Sequence, residues 1–176
     1  ARLSSTFDDI EIQDFHAAFQ GAGADLNGLM LMLRSAAAEK NEVFIANLNN
    51  MRFTQVTGAS MRTGGGAGPL LAKADIINLE RSRFEDCGAS DLTETTTVSG
   101  GGASIGVGNR ARLVDSYFGR NRAGTAGALS IYGFGDAEIL RCIFEANVAF
   151  QSGGAIGFTA LGALLVQSSI FRENAV

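Results

Sequence analysis

The side chains best placed to do chemistry are the charged ones that recur beside phenylalanine. Three residues before Phe84, Phe118 and Phe144 stand Arg81, Asp115 and Arg141, and Glu80 precedes Arg81. After the phenylalanines come Glu85, Asp86, Arg120, Glu145 and Arg172. Two carboxylates held roughly 5–10 Å apart can cleave a glycosidic bond, one as acid and the other as base or nucleophile. Stacked on neighbouring turns, these residues would supply the parts of a polysaccharide lyase or glycosidase. An alternating Arg-Asp-Arg column also relieves like-charge repulsion on a solvated sheet, with each exposed pair contributing about 0–1 kcal/mol. The structural role is the expectation here, because a charge ladder alone does not make an active site.

The other chemical candidates are weaker. The single histidine, His16, cannot form a multi-histidine metal site, and it reads as a surface residue beside Phe15. The glycine runs TGGGAG (63–68) and SGGGAS (99–104) lack the lysine of a phosphate loop. No carboxylate spacing matches an EF-hand or a calcium-roll repeat. The sequence therefore predicts no catalytic, cofactor-binding or metal-ligating residues.

What must position these side chains is an internal repeat. Phe15, Phe53, Phe84, Phe118, Phe144 and Phe171 are each preceded, five residues earlier, by Ile10, Leu48, Leu79, Leu113, Ile139 and Val166. Gly66, Gly102, Gly127 and Gly154 are each followed by alanine, and the next landmark phenylalanine lies 18, 16, 17 and 17 residues on. From phenylalanine to the following glycine the gap is 13, 18, 9 and 10 residues, so half of the repeat is constant and half tolerates insertion. The segments LSIYGFGDAEILRCIF and AIGFTALGALLVQSSIF are β-branched, aromatic and punctuated by glycine, without helical caps or period. Three short strands per repeat, with small-residue corners, predict a solenoid of stacked parallel strands: an all-β, right-handed parallel β-helix of about six coils.

In such a solenoid equivalent side chains stack about 4.8 Å apart. The phenylalanine and aliphatic columns face inward, each burial contributing roughly 1.5–3 kcal/mol. Ser82, Ser116, Cys142 and Ser169, two residues before the later phenylalanines, leave room for the rings. Asn121, Asn147 and Asn174, three residues after, predict a ladder of amides bonded from turn to turn. Val56 and Cys87 occupy that position earlier, which confines the ladder to the C-terminal turns. Glycine before alanine suits a corner of positive φ or close backbone approach.

The chain of 176 residues carries 23 glycines, one proline and a net charge of −4. That charge, without a Lys/Arg cluster, argues against a nucleic-acid partner. The most apolar run, 29–33, is far shorter than the roughly 20 residues a helical bilayer span needs, so no membrane span is expected in this segment. Cys87 and Cys142 fall in different columns two turns apart and are expected to be free and buried. Residues 1–52 read as degenerate coils and 53–176 as clear repeats, with insertions near 34–42 and 85–102. With no initiator methionine and a motif at the very end, the chain is expected to be a single β-helix segment of a longer protein. Its strand edges need covering, which predicts protein partners or adjoining chain at the solenoid ends. The two insertions are the first candidates for binding a partner.

The GGAI at 153–156 and the F-x-x-N at 118–121, 144–147 and 171–174 resemble the repeats of the chlamydial polymorphic membrane protein family. The resemblance covers 118–176 well, 53–117 in degraded form, and 1–52 barely. It implies a right-handed parallel β-helix passenger-like domain, exported to the cell surface or extracellular space and used in adhesion, with a surface glycan or host protein as ligand. The expectation is a non-catalytic module for adhesion or structural assembly. The alternatives are the carbohydrate-active enzyme and a structural subunit of a large complex.

Overall fold

The computed structural model describes residues 2–9, 11–13, 16–17, 31–34, 43–58, 68–89 and 98–176. Among these residues the regular elements are all strands, and they pair in parallel to build three sheets of a β-helix. The broadest sheet includes the long strands Leu70–Glu80 and Ala103–Val114. In later turns each long strand is split in two, as Leu129–Gly133 with Asp136–Leu140 and Ile156–Ala160 with Leu164–Gln167. The second sheet, which carries the phenylalanines, stacks six three-residue strands: Glu11–Gln13, Arg52–Thr54, Arg83–Glu85, Tyr117–Gly119, Ile143–Glu145 and Ile170–Arg172. The third sheet has five short strands, from His16–Ala17 to Val148–Ser152.

Six coils were expected, and the phenylalanine sheet has six rungs, but the described residues make about four full turns. The register column Leu31, Leu70, Ala103, Leu129 and Ile156 marks them. The remaining rungs are partial turns at either end.

The core follows from stacking. Phe53, Phe84, Phe118, Phe144 and Phe171 form one column with ring centroids 5.3, 4.9, 5.0 and 4.8 Å apart and planes within 11° of parallel. Phe53 to Phe144 are fully buried. Leu48, Leu79, Leu113, Ile139 and Val166 are in register beside them. The first turn departs from the expectation. Ile12, not Phe15, pairs with Phe53, and Phe7, not Ile10, pairs with Leu48. The spacing of five residues survives, shifted by three, because backbone pairing sets register and either an aliphatic or an aromatic residue suits the position. Phe15 itself lies outside the described residues.

The glycine column is also re-registered. A Cβ on Gly68 would overlap the Gly101 carbonyl, one on Gly101 the Gly127 carbonyl, and one on Gly127 the Gly154 carbonyl. The close-approach column is therefore Gly68, Gly101, Gly127 and Gly154, where Gly66 and Gly102 were expected. Gly66 lies outside the described residues. Gly102 is in register with Ala128, and a Cβ there would press on Phe84 and Phe118. In runs such as GGGAG the identity of the residue cannot choose the register. With it corrected, glycine to phenylalanine is 16, 17, 17 and 17 residues. The short first copy reflects a register irregularity where Val107 to Arg110 faces Ala74 to Ile76.

The interruption expected over 85–102 shrinks as well. Residues 85–89 and 98–102 belong to the solenoid, with Gly88 paired to Thr57 and Arg122 and Ser99 bridged to Thr125. Val98, Ala89 and Ala123 form a small buried cluster beside the main core. Residues 90–97, and 35–42 of the other insertion, lie outside the described residues.

Candidate functional site

Each phenylalanine strand is bounded by two corners in the left-handed backbone region. The first is made by Asn50, Arg81, Asp115, Arg141 and Ser168, with φ of 48 to 53°. The second is made by Gln55, Asp86, Arg120, Ala146 and Glu173, with φ of 51 to 57°. Most are neither glycine nor asparagine, so each corner costs of order 1 kcal/mol or more. After most of these corners the next residue offsets this by bonding the backbone across turns. The Ser116 hydroxyl accepts from Ser82 N–H at 3.1 Å and donates to the Val114 carbonyl at 2.9 Å; Ser82 and Ser169 repeat the pattern. The serine column is thus a hydrogen-bonding bracket as well as space for rings. Its signature, serine five residues ahead of asparagine, was present in the sequence.

The asparagine column brackets the second corner. Asn147 Oδ1 accepts from Asn121 N–H and Nδ2–H, both at 3.0 Å, while its Nδ2–H donates to the Phe118 carbonyl at 3.0 Å and to Asn174 Oδ1 at 2.9 Å. Asn121 accepts from Cys87 N–H and donates to the Phe84 carbonyl; Asn174 accepts from Asn147 N–H and donates to the Phe144 carbonyl. The two cysteines replace bracket residues: Cys87 stands in the asparagine column and Cys142 in the serine column. Both are free and buried, and the Cys87 thiol donates to the Glu85 carbonyl at 3.1 Å. Burial pushes the Cys87 thiol up to about 12 and raises that of Cys142 as well.

The corners and strands together set the charged outer face over the phenylalanine sheet. Asp115 and Arg141, one above the other at the first corner, form a bidentate pair at 2.6 and 2.9 Å. At the second corner Arg120 reaches back to Asp86 at 2.8 and 2.9 Å and also to Glu85. Glu85 is clasped on its own rung by Arg83 at 2.7 Å. Glu145 pairs with Arg172 at 2.8 Å and accepts from the Tyr117 hydroxyl at 3.1 Å. Tyr117 lies across Gly119, where any Cβ would strike its ring, and the Arg83 guanidinium sits 4.2 Å from the Tyr117 ring centroid. Arg83 and Tyr117 are members of this face that spacing from phenylalanine did not single out; only pairing across rungs reveals them.

The electrostatics follow from these contacts. The Arg83 hydrogen bond, with help from Arg120, holds Glu85 below the usual carboxylate range against the opposing effect of its partial burial. Arg172 does the same for Glu145, and Arg141 for Asp115. Partial burial, then the bond to Glu145, raises Tyr117. Glu85 and Glu145 share an outward column with Gly119 between them. They therefore stand two rungs, roughly 10 Å, apart. On the broad sheet a second lattice joins Arg112 to Glu80 and Glu138, and Arg110 to Glu138 at 2.6 Å. Among the described residues there is no cluster of three or more potential metal ligands. His16 pairs with Thr57 in the third sheet. Among the described residues no helix is long and apolar enough to cross a membrane.

No protein-family model, curated protein or solved structure matches this chain.

Proposed function

We propose that this chain is a non-catalytic β-helix module that works at the cell surface or outside the cell, in adhesion or structural assembly. The observation that carries the reading is the pairing of the outward carboxylates. Glu85, Asp115 and Glu145 are each clasped by arginine and held ionised. A glycosidase requires one carboxyl that keeps its proton near neutral pH, and these three are biased the opposite way. The charged face is instead an ordered lattice of both signs, suited to holding the corners and presenting guanidinium edges to a ligand. The resemblance of the F-x-x-N and GGAI repeats to the polymorphic membrane protein family supports the surface location and the adhesive role.

The column shared by Glu85 and Glu145 is the observation that favours a carbohydrate-active enzyme. Their separation of roughly 10 Å lies just beyond the range of about 6.5–9.5 Å used by inverting enzymes. The two readings part on one experiment, in which the protein is incubated with a panel of acidic and neutral polysaccharides. Reducing ends and unsaturated products are followed alongside binding to the same panel immobilised. The module reading expects no turnover, whether or not a glycan is retained. Turnover abolished by Glu85→Gln or Glu145→Gln would replace it with the enzymatic one.

A further inference from the structure

Halfway along the broad sheet the later turns throw two residues outward where an earlier turn has one. Asp75 alone separates Ala74 from Ile76, whereas Gly108 and Asn109 separate Val107 from Arg110, and Phe134 and Gly135 separate Gly133 from Asp136. A bulge of this kind re-aims a side chain, and the one re-aimed is Phe134, which is 75% exposed. Its exposure owes nothing to a missing neighbour. Phe134 N–H donates to the Val107 carbonyl of the turn before at 2.9 Å, and Leu161 N–H of the turn after donates to the Gly133 carbonyl at 3.0 Å. The backbone that presents the ring is also tightly held. Gly133 has a φ of 119°, and a Cβ on Gly133 or Gly135 would strike the backbone of the turn before.

Two polar groups flank the ring. Asn109 is exposed on the turn before, its backbone packed against Gly135, and its side-chain amide has no partner among the described residues. Asp136 follows Phe134 by two residues and is exposed. Its Oδ1 accepts from Ala163 N–H at 2.7 Å, which leaves Oδ2 open. Among the described residues Asp136 forms no ion pair, since Arg110, in register with it, is drawn instead to Glu138 at 2.6 Å.

We infer that Phe134, Asn109 and Asp136 form a subsite for a neutral sugar ring of a glycan. A pyranose carries C–H groups on its face and hydroxyls around its rim. The phenylalanine ring takes the face, the Asn109 amide can donate and accept, and Asp136 Oδ2 accepts. A carboxylate without a cation beside it opposes an acidic sugar, so the class is neutral. The small apolar area argues against larger partners. A standard protein interface covers about 800 Å² on each side. Around Phe134 that area would take in the Arg110–Glu138 and Arg112–Glu138 pairs and desolvate them at a cost. A bilayer would gain little more than one ring, a marginal anchor.

This inference rests on the adhesive half of the proposed function and names its ligand class, but its test is separate. Cellohexaose, mannohexaose, xylohexaose and chitohexaose are titrated into the isotope-labelled 176-residue protein and followed by the shifts of its backbone amides. Oligogalacturonate of the same length is the acidic comparison. At least one neutral oligosaccharide is expected to bind saturably and to shift the amides of Asn109, Phe134 and Asp136. Phe134→Ala should weaken that binding by about tenfold or more, and Asn109→Ala by about threefold or more. Phe150→Ala, which removes an exposed aromatic of the third sheet, should leave it unchanged. No saturable binding of any neutral oligosaccharide, tighter binding of oligogalacturonate, or shifts confined to other faces would overturn the inference. So would Phe134→Ala and Asn109→Ala variants that bind as the parent does. None of those failures bears on turnover in the polysaccharide panel, which tests the non-catalytic reading by itself.

Discussion

Asn147→Ala is the sharpest probe of what holds the late turns together. Asn147 is fully buried, and its side chain makes four hydrogen bonds at 2.9–3.0 Å to Asn121, Phe118 and Asn174. Truncation leaves the Asn121 N–H buried without its acceptor, at about 1–3 kcal/mol. The other lost bonds cost less, about 0.5–1 kcal/mol each, because the Asn121 amide keeps the Phe84 carbonyl and Asn174 Oδ1 keeps the Asn147 N–H. Allowing for incomplete additivity, the expected loss is about 3–5 kcal/mol. Urea unfolding followed by circular dichroism measures the sum. Solenoid turns depend chiefly on their neighbours, so hydrogen exchange at the Asn121 amide reads the local defect. Since Asn121 and Asn147 share two bonds, Asn121→Ala and Asn147→Ala together should cost less than their sum, by about 1–2 kcal/mol. A loss below about 1 kcal/mol, or an Asn121 amide still protected in the variant, would refute the claim that the ladder carries the corner.

Four further outcomes are expected. Gly127→Ala places a Cβ against the Gly154 carbonyl and the Val148 backbone, and should cost about 3 kcal/mol; a melt no lower than that of Ala128→Gly would contradict the close-approach column. Cys87→Asn should stabilise by about 1 kcal/mol, because an amide there can meet the Phe53 carbonyl that the thiol reaches only at 3.4 Å. Thiol titration of the parent should find both cysteines unreactive when folded and both free when unfolded without reductant; a lower melting temperature for the variant would count against the bracket reading. Glu85, whose folded pKa is lowered chiefly by the Arg83 hydrogen bond, contributes stability above the ordinary carboxylate pKa of about 4.3. That stability is lost as pH falls through the folded value. Glu85→Gln should therefore flatten the fall in melting temperature between about pH 5 and 3, and an acid profile overlaying the parent's would show that the clasp does not act this way.

Much of the architecture was legible along the chain. Phenylalanine, an aliphatic residue five positions earlier and asparagine three later recur because each turn packs mainly on the next, so one local rule repeats wherever the chain passes the same column. Composition and spacing alone were enough for a parallel β-helix, for the inward columns, for the extent of the amide ladder and for two cysteines too far apart to pair. The serine bracket was visible as a spacing but read as room for rings, since residue type alone does not say whether a hydroxyl fills space or bonds across turns.

Tertiary structure decided the rest, for a single reason: register belongs to backbone pairing between strands, and several residue types satisfy the same position. Ile12 takes the column where Phe15 was the obvious landmark, and Gly68 and Gly101 are chosen from glycine runs that offer equal candidates. The left-handed corners fall on Arg81, Arg120 and Ala146 among others, residues that give no turn signal and hold that backbone because the brackets of adjacent rungs bond it. Arg120 likewise meets Asp86 and Glu85 across 34 and 35 positions. Such pairs exist only once one turn lies upon another. The composition of a column can be read along the chain, whereas its register and its charge pairing are settled by contact between rungs.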